Sequence, residues 1–419
     1  MRYPSIRVAI VASLAYLLLW IASSLVRTWA AWAGNGLWTA AFSGRDWELY
    51  LPALGFIGLM VMGMAQQFIP LYSGRELWSG RGAFLQVAVS IVGVALLLAD
   101  PRLEPLGLAL WLLGTILFLL WILLTLRSER LPVRPQGKHP EFHTMDMLGI
   151  PMTSAAVLYL IAASVGFLLA SPSGGPLVSF AADHWFSFFH LYTLGFIALM
   201  VFGVGFHLFP RFTDTVPNLR AAKVIMAMAV PGPALVASTM PFLDVPSGEF
   251  VFAVSALFEA AAAVLFAILV LDLWNRSAQR RPASAFNATA GLWLILGVTL
   301  ASLFGLAPES TLQWVPVHGW VNLFGFAGFE IFGVTHEVLP PFTSMGLKVS
   351  RRVTRVNFSL ANLGLALVVL SYAADILGAG AVGIVLGLVG LGVLLATASL
   401  YAWGTCYALF GIVHPRGSK

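Results

Sequence analysis

Apolar residues in this chain do not alternate with polar ones in the rhythm of a strand or of an amphipathic helix. They come in long runs, separated by short polar segments that carry Arg, Gly and Pro. A run of about 20 apolar residues, wound as an α-helix, matches the hydrocarbon thickness of a bilayer. Twelve runs satisfy this, near 6–25, 51–71, 83–100, 106–126, 149–171, 184–209, 223–242, 250–273, 287–306, 317–339, 357–376 and 382–410. They predict an all-α integral membrane protein of twelve transmembrane helices, a single polytopic domain over 1–419. The first run follows MRYPSIR and reads as a span, because no small-residue cleavage pattern follows it.

The runs are related to one another. The chain reads LGFIGLMVMGMAQQFIPLYS at 54–73, LGFIALMVFGVGFHLFPRFT at 194–213 and FGFAGFEIFGVTHEVLPPFT at 324–343. With Gly55, Gly195 and Gly325 superposed, Pro70, Pro210 and Pro340 coincide. The shared glycines stand 140 and then 130 residues apart, which predicts three four-helix pseudo-repeats over 1–130, 149–275 and 286–412. The repeated stretch lies on spans 2, 6 and 10. Gly63, Gly203 and Gly333 also coincide, and small residues let helices approach closely in lipid. Spans 2, 6 and 10 are therefore expected around a common axis. The polar segments 126–146 and 274–285 separate the units.

Charge adds an orientation. The chain holds 23 Lys and Arg, and with an even number of spans all but Arg27, Arg45 and Arg102 fall on the side of the two termini. The positive-inside rule places that side, and both termini, in the cytoplasm of a cell inner membrane. The pI of about 9.5 then reports topology and attraction to an anionic lipid bilayer, and needs no nucleic acid partner. With 59% hydrophobic and 10% charged residues, a soluble domain is excluded. The single cysteine, Cys406, excludes an internal disulfide and a thiolate metal cluster.

Ionisable residues inside such a chain are the candidates for chemistry, because each is costly unless it serves a partner. His190 and His318 lie near the outer ends of spans 6 and 10, and His207 and His336 near the inner ends. His318 and His336 are 18 residues apart, five α-helical turns, and are expected on one face. Imidazole is a frequent axial ligand of haem and a common ligand of copper and zinc. His184 is a reserve ligand in the outer loop; His139, His143 and His414 sit in polar segments and carry no expected role. The first repeat lacks these histidines. Tyr50 stands at the place of His190, Glu48 at that of His318, and Gln66 and Gln67 at those of His336 and His207. Glu259 in span 8 and Glu330 in span 10 lie mid-span with no Lys or Arg at that depth. They are candidates for a proton relay, with interhelical hydrogen bonding as the alternative.

The twelve spans, with candidate ligands on spans 2, 6 and 10, resemble the haem-copper oxidase subunit I superfamily. The stretch VHGWVNLFGFAGFEIFGVTHEVLPPF is similar to span 10 of the C-family oxidases and nitric oxide reductases, which carry an H-x-H pair there. His318 matches its first histidine, a haem ligand in that family, and Trp320 stands at the second. The elements WELYLPALGF and YSGREL also resemble the NnrS-type membrane haem proteins, with Glu48 and Tyr50 replacing their two histidines. Span 7 holds no histidine, where the oxidases and reductases carry a His-His pair, and span 6 lacks their H-P-E-V-Y segment. The resemblance therefore implies the frame without the binuclear centre, and copper is not expected.

The reading that follows is a membrane haem b protein with one or two haems: one on His190 and His318, a second on His207 and His336. It would transfer electrons in a respiratory or nitrogen-oxide-related pathway, with a quinol, a c-type cytochrome or another redox subunit of an oxidoreductase complex as partner. The alternatives are an NnrS-like NO-response protein with metal ligands among His190, His318, Glu48 and His184, and a cofactor-free transporter or structural subunit.

Overall fold

The computed structural model describes residues 4–35, 46–129, 139–171, 184–242, 246–306, 311–342 and 349–410; His414 and the segment 172–183 lie outside them. Every regular element among these residues is helical. We number the helices by span: α1 (Pro4–Trp32), α2 (46–73), α3 (Gly80–Ala99), α4 (Glu104–Arg127), α5 (Pro140–Leu169), α6 (Trp185–Thr213), α7a (Leu219–Ala229), α7b (Gly232–Thr239), α8 (Pro246–Arg276), α9 (Pro282–Leu306), α10 (315–342), α11 (Arg351–Ile376) and α12 (Gly380–Phe410). Among the described residues, eleven helices are long and apolar enough to cross a membrane, so this is a multi-span membrane protein. Helix α10, which carries His318, Asn322, Glu330 and His336, falls outside that set.

Polar residues in the connecting segments start and stop the helices. The side chains of Ser79, Asn218 and Ser350 accept bonds from the first free N–H groups of α3, α7a and α11. Helices α2 and α6 end alike, on a left-handed Gly74 (φ 61°) and a left-handed Asp214 (φ 50°), each N–H bonded to the carbonyl of the shared proline, Pro70 or Pro210. Helix α5 begins at Pro140, so Glu141 to Asp146, expected in a loop, are helical.

The packing follows a recurring scheme. Helices α1, α5 and α9 each pack on the next helix and on the one after it. Helices α3 with α4, α7 with α8, and α11 with α12 form close pairs. Contacts of α4 with α5, α8 with α9 and α12 with α1 close the outer ring. Large apolar side chains on outer helices, such as Leu158, Phe250 and Leu257, are exposed, as lipid-facing residues are.

Helices α2, α6 and α10 meet inside this ring, but not through the glycines that align between the three stretches. The Phe56 and Phe332 rings lie 6.5 Å apart, and Phe202 and Phe326 6.3 Å apart. Tyr192 of α6 donates to the Ala53 carbonyl of α2 at 3.2 Å, and Trp185 donates to the Tyr50 hydroxyl at 2.7 Å. The glycines face the other way, toward the first helix of their own unit. A methyl carbon on Gly63 would stand 2.5 Å from Ala9 Cβ, one on Gly203 2.6 Å from Thr153 Cγ2, and one on Gly333 2.6 Å from Asn287 Oδ1. Gly55, Gly195 and Gly325 likewise receive Tyr16, Tyr159 and Trp293. The axis is filled by aromatic rings, and the small residues seat α1, α5 and α9.

Each central helix is also wound unusually. Residues Asp46–Gly58, Leu191–Ala198 and Val321–Gly328 are π-helical, and each segment passes into α-helix at the same repeat position, at Leu59, Leu199 and Phe329. A π turn holds an extra residue, so the helical phase shifts across it. His318 and His336 flank one such segment. The five-turn count does not run through it unchanged, yet both side chains meet α9, His318 at Gly297 and Phe304 and His336 at Phe286.

Candidate functional site

The two histidines at the ends of α6 and α10 away from the basic end each set Nδ1 against a backbone carbonyl. His190 closes the short α-helical turn Trp185–His190 and directly precedes the π segment. Its Nδ1 lies 2.8 Å from the Phe186 carbonyl, one turn back. His318 stands three residues before its π segment, and its Nδ1 lies 3.0 Å from the Gly297 carbonyl of α9. A carbonyl oxygen only accepts, so in both rings Nδ1 carries the proton and Nε2 keeps its lone pair. Both side chains are half-buried, and the two imidazoles are close enough for a charge on one to act on the other. The Phe304 ring meets His318 edge-on at 5.5 Å. The Asn322 amide lies over the His318 ring, 3.2 Å from Nδ1 and 3.4 Å from Nε2, while donating to the His318 carbonyl at 2.8 Å.

The other candidates at this end have different surroundings. Glu48 is exposed and ion-paired with Arg27, which accounts for one of the few basic residues on this side. His184 precedes the first turn of α6, where its carbonyl accepts from the Ser187 N–H. Tyr50 is fully buried beneath Trp185. Trp320 stacks on Trp20 of α1 at 4.5 Å, so the position of a second histidine serves packing here. Among the described residues, no three of His, Cys, Asp and Glu converge as a metal-binding group.

At the basic end, His207 is one member of a cluster that the sequence did not disclose. Asp146 of α5 accepts from Arg211 through both oxygens, at 2.9 and 2.8 Å, and its Oδ1 lies 2.7 Å from His207 Nδ1. The Arg211 guanidinium also covers the Phe142 ring, at 5.4 Å. Asp146 looked like the last residue of a polar loop; only the helical start of α5 at Pro140 turns it toward α6. His336 sits instead between the Phe286 and Tyr401 rings, 6.1 and 5.6 Å away, and its Nε2 has no hydrogen-bond partner. The residue at the equivalent place in α2, Gln66, donates to Gln86 at 2.9 Å.

Glu330 is buried and accepts a short hydrogen bond from the Asn287 amide of α9. One oxygen of each side chain, Glu330 Oε1 and Asn287 Oδ1, is left without a partner. Glu259 is buried on α8, and its Oε2 has no partner.

Neither a scan of protein-family models nor a search of curated proteins gives a match to this chain. The functional reading therefore rests on the geometry and on the resemblance of motifs.

Proposed function

We propose that this chain is a membrane haem b protein of twelve spans in three four-helix repeats, with both termini in the cytoplasm, and that His190 and His318 hold the haem. The observation that carries this reading is the matched pair of imidazoles. Two central helices each present, at one end, a histidine whose Nδ1–H is fixed by a backbone carbonyl. A ligating imidazole takes this form, because the bond orients the ring and raises the basicity of Nε2. Two such donors, with no third ligand beside them among the described residues, suit an axial pair better than a non-haem metal. A bound haem supplies one-electron transfer, with a quinol or another redox protein as the exchange partner. Phe304 lies against His318, and Trp185 stacks on Phe189 and Trp20 on Trp320 at the same end.

One haem, rather than two, agrees with the basic end. There the Asp146–Arg211 pair engages His207, while His336 lies among aromatic rings.

The test is the visible spectrum of the purified, reduced protein. A sharp low-spin α band is expected. His190→Ala or His318→Ala should abolish it or convert it to high spin, and His139→Ala should leave it unchanged. A wild-type protein free of iron overturns the proposal.

A second reading, a transporter, is favoured by one observation: the backbone hydrogen bonding of α7 is interrupted at mid-span, while Val230 and Pro231 keep right-handed helical angles. The break lies in span 7, outside the repeated stretches of spans 2, 6 and 10.

A further inference from the structure

Span 7 runs over Leu219–Phe242, and its break falls near the middle, between Ala229 and Gly232. The cause is the sequence VPGP at 230–233. Pro231 and Pro233 have no N–H, so the i+4 bonds that the Ala227 and Ala229 carbonyls would accept cannot form. Tyr159 of α5 enters the gap. Its hydroxyl donates to the Val230 carbonyl at 2.7 Å and faces the N–H of Ala234. It replaces the helical bond that would join those two groups.

Glu259 of α8 reaches the same place. Its carboxyl lies against Gly232, the first residue of α7b, so closely that a methyl carbon there would stand 1.9 Å from Oε2. That oxygen is buried and has no hydrogen-bond partner. Two demands act on the group in opposite directions. The membrane interior disfavours an anion, and the positive end of α7b favours one. A carboxyl so placed is suited to exchange a proton. The other ionisable groups on the segments packed against α8 are Arg220 and Lys223 of α7a and His207 and Arg211 of residues 199–213 of α6, all toward the basic end; α9 and α7b carry none. Tyr159 of α5 is close enough to Glu259 to sense a charge on its carboxyl.

We propose that the break in α7 is a proton-binding site, in which Glu259 takes up one proton as a carboxylic acid and releases it as a carboxylate steadied by the first turn of α7b. A metal cation is disfavoured, because a single carboxylate stands here. The inference does not depend on haem.

The full-length protein in detergent is treated with dicyclohexylcarbodiimide, which reacts with protonated carboxyl groups in apolar surroundings, and the adducts are mapped by peptide mass. Glu259 should be labelled, several-fold more slowly as pH is raised, and equally with or without sodium chloride. In Gly232→Ala the new methyl displaces the carboxyl from the helix end, so labelling of Glu259 at alkaline pH should rise several-fold while that of Glu330 stays as in wild type. No labelling of Glu259 at any pH, or protection by sodium, overturns the proposal on the wild-type protein alone. A folded Gly232→Ala protein with an unchanged pH profile overturns the part assigned to α7b.

Discussion

Asp146 binds two basic side chains of α6 at once, His207 and Arg211, through three nitrogen atoms at a half-buried position. Replacing it by Ala leaves Arg211 and His207 without their acceptor. Losing charged hydrogen bonds at such a site costs about 1–3 kcal/mol. Asp146→Ala should therefore unfold at a lower temperature in detergent, followed by intrinsic fluorescence, and His143→Ala on the same helix, exposed, should not. Single residues were legible in the sequence when they were conspicuous for their depth. His190, His318, Glu259 and Glu330 stood out as ionisable groups in apolar runs. Asp146 and Asn287 did not, because one lay beside charged residues and the other at the edge of a span. Their meaning comes from a neighbouring helix, which a linear pattern does not reveal.

At the scale of the helix, close approach governs. A methyl carbon on Gly149 would stand 2.6 Å from the Gly203 carbonyl, a backbone atom that cannot turn aside. Gly149→Ala should separate α5 from α6 and cost about 1–3 kcal/mol, the range for overpacking. Gly392→Ala meets nothing within 4 Å and should be neutral or stabilising by up to about 1 kcal/mol, from helix propensity. Unfolding midpoints of the two variants check this. The run lengths disclosed the helices because a bilayer imposes length. Their internal winding was hidden. Nothing in the composition of LYTLGFIA or VNLFGFAG distinguishes a π turn from an α turn, and VPGP in span 7 looked no different from prolines elsewhere.

For the whole molecule, the loops set the orientation that places the histidine pair. If the basic side is cytoplasmic, the His190–His318 end faces outward. A cytoplasm-active reporter fused after Lys419 should be active, and an export-dependent one silent; the reverse outcome would invert the proposed path of electrons. The repeat was read from three segments that keep the same glycine and proline positions. Which residues fill the centre was not readable, since glycines that align in sequence face outward to α1, α5 and α9.

The π segments also bear on how this chain tolerates insertion and deletion. A π turn accommodates one residue more than an α turn, so removing one residue from Val321–Gly328 lets the segment close as α-helix while the flanking turns, with His318 and His336, keep their neighbours. Single-residue gaps confined to 46–58, 191–198 and 321–328 in an alignment with a remote relative would thus mark changes of winding in the central helices.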